Sequence, residues 1–130
     1  MTVPFVYDAG ALIAIDNDDR QMRARHNLAI SESRPAYVPS VVIGQVWRDA
    51  RRHVVLNKFL AGCHVQPIDV DIAKAAGVLC GRTRTTDVVD AAVVVIAAAL
   101  GAIVWTSDPH DLKALAEESG AKPGIVIRTV

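Results

Sequence analysis

Aromatic side chains are scarce in this sequence, with two each of Phe, Tyr and Trp in 130 residues. A protein that grips nucleic acid mainly by stacking bases on exposed rings needs more. An excess of charge of one sign is also missing. Fourteen Lys and Arg balance fourteen Asp and Glu, giving a formal net charge of zero. A polyanion would therefore have to be met by a local basic patch, not by the molecule as a whole. Two cysteines, Cys63 and Cys80, are too few for a disulfide framework and read as reduced, partly buried thiols. The longest apolar run, Ala91–Trp105, is interrupted by Gly101 and falls short of the roughly 20 residues a membrane helix needs. The opening MTVPFVYD has no basic stretch ahead of an apolar one, as a secretory signal would. The expectation is a cytoplasmic protein with no membrane segment.

What is present is apolar bulk. Hydrophobic residues make up 52% of the chain, enough to fill the core of one domain spanning residues 1–130. Short β-branched runs alternate with helical patterns. VPFVY, AYVP, HVQPI, AIVWTS and GIVIRTV read as strands. AGALIAI, DDRQMRARHNLAISES, VVIGQVWRDARR, VLNKFLAG, IAKAAGVLCGR, VVDAAVVVIAAAL and PHDLKALAEES read as helices. The second of these is expected to bury Met22, Leu28 and Ile30. Asp69 or Asp71 opens the fifth helix, Gly101 closes the sixth, and Pro109 stands near the start of the seventh. Such alternation predicts an α/β fold with a parallel sheet and helices on both faces. Ligands of these sheets bind beyond the carboxyl ends of the strands.

The acids fall at that edge. Asp8 follows the first strand directly and Asp108 the fourth, with Asp111 close behind. Asp87 and Asp90 head the long apolar helix that returns to the fourth strand, spaced i and i+3 on one face. Each could be no more than a helix cap. Together they are costly: two unit charges 4 Å apart repel by roughly 4 kcal/mol at an effective dielectric near 20, and Ser, Thr or Asn would cap without that penalty. A hard divalent cation bound through oxygen makes sense of the cluster. His26, His53, His64 and His110 are scattered and are expected at the surface. In the helix after the second strand, Gln45, Arg48 and Arg52 have the i, i+3, i+7 spacing of one face, with Val42, Val46 and Ala50 turned to the core and Trp47 beside them. Arg82 and Arg84 precede the acidic helix and read either as cleft-flanking cations or as a solvated face. Arg20, Arg23 and Arg25 read as surface charge.

The ordered stretches VYDAGALIA, PSVVIGQVWR, TTDVVDAAVVVIAA and GAIVWTSDPHDLKAL resemble the motifs of PIN-domain ribonucleases, and among them the VapC-like toxins of bacterial toxin–antitoxin pairs. The resemblance spans nearly the whole chain. It implies a PIN-like three-layer sandwich around a five-stranded parallel sheet. It implies an Mg2+- or Mn2+-dependent endoribonuclease that leaves 5′-phosphate and 3′-hydroxyl ends, forms a homodimer and is inhibited by a cognate antitoxin. It places metal on Asp8, Asp90 and Asp108, with Asp87 and Asp111 as additional acids, while the shared face of Gln45, Arg48 and Arg52 supplies the local cations that an RNA backbone needs. One departure stands out: Gln45 occupies a position where many PIN domains carry Glu. Two other readings are carried forward. One is a PIN-fold protein that binds antitoxin or RNA without cutting. The other is a phosphoacceptor receiver-like domain, which also clusters acids around Mg2+, although no Lys follows the last strand here.

Overall fold

A computed structural model describes residues 2–122 and 124–130 of the chain. Twelve elements follow one another among them: β1 (Phe5–Tyr7), α1 (Ala9–Asp16), α2 (Arg20–Ser31), β2 (Ala36–Pro39), α3 (Ser40–Val46), α4 (Val54–Ala61), β3 (His64–Gln66), α5 (Val70–Thr83), α6 (Val88–Leu100), β4 (Ile103–Thr106), α7 (Pro109–Ser119) and β5 (Val126–Thr129). The strands form one parallel sheet in the order β3-β2-β1-β4-β5. The central strand β1 is wholly buried, as a parallel strand covered on both faces must be. The helices sort into two packed groups, α1 with α2, α3 and α4, and α5, α6 and α7 with one another. Right-handed crossovers put the groups on opposite faces, which gives the expected three layers. A receiver-like domain would run 2-1-3-4-5, so the strand order removes that reading.

This order fixes the functional edge. Chain direction across the sheet reverses between β1 and β4, and the crevice of such a sheet opens at that switch point. Helix α6 crosses behind it, touching β1, β2 and β4. Its Ala91, Ala92, Val93, Val94, Ile96 and Ala97 are buried, because small residues let a helix lie close on a sheet.

Several local expectations are corrected. Helix α2 buries Met22, His26 and Ala29, while Leu28 and Ile30 are 59% and 60% exposed; i, i+4, i+7 is the face that meets the sheet. His26 is drawn inward because its Nδ1 shares a hydrogen bond of 2.8 Å with the Tyr7 hydroxyl. Burial raises the phenol pKa and lowers that of the imidazole, so both partners are held in their neutral forms.

The helix expected over VVIGQVWRDARR stops at Val46, since Trp47 turns to an extended conformation. What wins over helix propensity is a tertiary anchor. His53, also buried, accepts from the Arg48 backbone N–H at Nε2 (3.1 Å) and donates from Nδ1 to Asp16 (2.7 Å). Asp49 closes the intervening turn through the Arg51 N–H at 2.9 Å. Ala50 is consequently exposed, and Gln45, Arg48 and Arg52 do not share a helical face. His64 and His110 are exposed as expected, and both cysteines are free thiols. No helix of the described residues is long and apolar enough to cross a membrane.

Candidate active site

Asp8 ends β1 and caps α1, accepting from the Ala11 N–H at 3.3 Å. Its own N–H donates to the Trp105 carbonyl at 3.2 Å, tying the ends of β1 and β4 together. The residue is only 8% exposed. Burial raises its pKa and the Asp108 charge adds to the rise, while hydrogen bonding from Thr106 and from the Ala11 and Gly10 backbone opposes it. Thr106, fully buried at the end of β4, also accepts from the Asp108 N–H at 2.9 Å. One hydroxyl thus acts on both strand-end acids. Glycine at position 10 makes the meeting possible: a Cβ there would lie 2.1 Å from the Ser107 Oγ and 2.8 Å from the Ser107 nitrogen. Asp108 precedes α7 but makes no side-chain capping bond and is exposed, so its carboxylate is open to solvent.

The second pair belongs to α6. Asp87 caps it, accepting from the Asp90 N–H at 3.0 Å. Asp90 is half-buried, and its pKa is pushed up to about 7, first by burial and then by the charge of Asp87, a hydrogen bond shared with Asp87, and the charges of Asp8 and Asp111. Asp111, in the first turn of α7, is raised chiefly by its contact with Asp108; His110 acts in the opposite sense. Three of the five acids, Asp8, Asp90 and Asp111, therefore feel at least one of the others, and Asp87 and Asp108 are among the sources. Capping alone accounts for Asp87 and not for Asp108. A cleft of about 240 Å3 opens against Asp87, Asp90 and Asp111, walled by Thr83, Thr85, His110, Ala114 and Leu115. A hollow of about 200 Å3 at the β5 side, lined by Val3, Ala97, Ile103 and Ile125 among others, has no titratable side chain in its walls.

The donor set is all oxygen and suits Mg2+ or Mn2+. Yet among the described residues no three His, Cys, Asp or Glu side chains are gathered tightly enough to hold an ion as they stand. Carboxylates near enough to raise one another's pKa repel by a few kcal/mol when both are charged, a cost that a bound cation would offset.

The basic residues are differently placed. Gln45 is exposed on α3. The Arg48 guanidinium donates to the carbonyls of Gly44, Gln45 and Trp47 at 3.3, 3.2 and 2.8 Å, stabilising the C-terminal end of α3. Arg52 is exposed in the turn that follows. Arg84 is the residue after α5 and takes a left-handed conformation, φ 56°, which sets Thr83 and Thr85 on the cleft wall. Sequence reasoning missed Gly10, Thr106 and His110. The first two carried a signal: a threonine two residues before an acid at a strand end is a recognised side-chain-to-backbone turn, and a glycine two residues after one marks close backbone approach.

No protein-family model matches the chain, and no curated protein matches it in sequence. Solved structures do. A chain of the DNA-bound VapBC complex from Salmonella typhimurium superposes with a TM-score of 0.68 at 21% identity, covering 98% of each chain. A chain of VapBC2 from Rickettsia felis, bound to a fragment of its promoter DNA, gives 0.73 at 12% identity, covering 98% of this chain and 99% of that one. At such identities the likeness establishes a shared fold.

Proposed function

We propose that the protein is a metal-dependent endoribonuclease acting as the toxin of a toxin–antitoxin pair. The observation that carries this reading is the coupling of Asp8, Asp90 and Asp108 at the switch edge of a fold shared with VapBC structures. Asp8, Asp90 and Asp108 would hold Mg2+ or Mn2+ through carboxylate oxygens, with Asp87 and Asp111 adjusting the charge. Such an ion neutralises phosphoryl oxygens and lowers the pKa of water. The chain's part is to fix Asp8 through Thr106 and the α1 backbone, and to keep Asp90 on a rigid helix. The cleft beside α6 would take the RNA strand, with Gln45, Arg48 and Arg52 supplying further contacts to it. Hydrolysis would break the P–O3′ bond and leave a 5′-phosphate and a 3′-hydroxyl.

An antitoxin partner and a homodimer belong to the same reading. Ile13 on α1, Leu28 and Ile30 on α2, and Val54 and Val55 on α4 are exposed, on helices packed around α1. Apolar surface of this kind favours protein contacts. The test is incubation of the purified protein with total RNA in Mg2+, Mn2+ or EDTA. Cleavage confined to the metal-containing reactions supports the proposal. Binding of RNA or antitoxin without cleavage supports the second reading, a PIN-fold protein that does not cut, which the neutral Gln45 favours.

A further inference from the structure

We infer that Thr83 and Thr85 form a receptor for one ribose 2′-hydroxyl, by which the cleft tells RNA from DNA; this rests on the endoribonuclease reading and adds the residues that choose the sugar. Helix α5 ends at Thr83, Arg84 turns the chain in the left-handed region, and Thr85 leads into the Asp87 cap of α6. Both threonines line the cleft that Asp87, Asp90 and Asp111 also line.

A hydroxyl is one donor and two acceptor sites, and the two here are engaged in opposite ways. Thr83 Oγ1 donates to the Leu79 carbonyl at 2.9 Å, with the Cys80 carbonyl at 3.4 Å. Its proton is engaged and a lone pair is left. Thr85 Oγ1 accepts from the Asp87 N–H at 3.2 Å, and among the described residues its proton has no acceptor. The wall therefore presents one spare acceptor and one spare donor, two residues apart.

That is the complement of a 2′-hydroxyl, which is both donor and acceptor and is the group that distinguishes RNA from DNA at a given site. Water can serve both threonines in the free protein. A ribose replaces that water bond for bond; a deoxyribose displaces it and leaves two polar groups unpaired, which is the stronger form of discrimination. The position also fits. A nucleotide whose 3′-phosphate lies at the acids must keep its ribose within one nucleotide of them, and the cleft of about 240 Å3, with Ala114 and Leu115 among its walls, has room for it.

The experiment uses RNA oligomers of one sequence, each with a single 2′-deoxynucleotide at one position around the cut. Cleavage is followed in Mg2+ and binding by fluorescence anisotropy. In the wild type, one position should lose about tenfold in rate or affinity, and the others little. Thr85→Val should lose a similar factor on all-RNA and cleave the deoxy-substituted oligomer no more slowly; Thr85→Ser should behave as wild type. If every singly substituted oligomer is handled by the wild type as well as RNA is, the inference is overturned without any protein variant. It is also overturned if Thr85→Val keeps the full preference. A protein that binds RNA but does not cut it contradicts the nuclease reading alone, and the binding ratios still decide the threonines. If it neither binds nor cuts, both fail.

Discussion

Asp90 is the residue on which the electrostatics of the site turn. Its carboxyl is raised from the ordinary range to about 7, so the folded protein holds a proton there that the unfolded chain releases. Stability of the ion-free protein therefore falls as pH rises from about 4 to about 7 and levels off above. The full conversion would exceed 4 kcal/mol; for a half-exposed carboxyl, screening by solvent reduces it to about 2 kcal/mol. Asp90→Asn should remove the fall. In urea titrations without metal, the variant is expected to be more stable than wild type at pH 8 and equal to it at pH 3.5. A variant less stable at pH 8 would mean that the carboxylate serves the fold. The same proton competes with a cation, so Mn2+ affinity should rise with pH up to about 7. Calorimetry at pH 6 and pH 8 reads this directly, and an affinity independent of pH would remove Asp90 from the ligand set.

Among elements, the contact that matters most is between the β1–α1 and β4–α7 turns. Gly10→Ala places a methyl where the Ser107 side chain and nitrogen lie. Ser107→Gly cannot relieve it, because the backbone nitrogen stays 2.8 Å away. The single variant should lose about 2 kcal/mol of stability and weaken metal binding by separating Asp8 from Asp108. Unchanged urea midpoints would show that the turns yield easily. A second link joins α1 to the turn after α3 through Asp16 and His53. His53→Ala leaves the Asp16 carboxylate and the Arg48 N–H without their partner, and a loss of about 2–3 kcal/mol is expected in the same titration. This link explains what the sequence could not disclose. Strand positions, the caps at Asp69, Asp87 and Gly101, and the Pro109 start of α7 are local signals and were legible. The end of α3 depends on a histidine bonding to a residue 37 positions earlier, and no periodicity within residues 41–52 carries that information. For the same reason the inward turn of His26, set by Tyr7, was read as surface.

At the scale of the whole molecule, sheet order converts scattered acids into a site. Residues 8, 90 and 108 are far apart in sequence; the reversal between β1 and β4 brings Asp8 and Asp108 side by side, and α6 returns with Asp90 at the same edge. Strand alternation in the sequence predicted that edge without its long-range hydrogen bonds, so the convergence was legible while the reach of Thr106 across to Asp8 was not. The exposed apolar residues of α1, α2 and α4 lead to an expected homodimer, and light scattering at micromolar concentration should give twice the 13.9 kDa chain mass; a species of single mass would contradict it. The central claim, that this edge is a metal site, is tested most directly by titrating Mn2+ into the wild type and Asp90→Asn at pH 8 by calorimetry. Saturable binding by the wild type and at least a tenfold loss of affinity in the variant are the predicted result. No binding by the wild type, or equal affinity in both proteins, would contradict it.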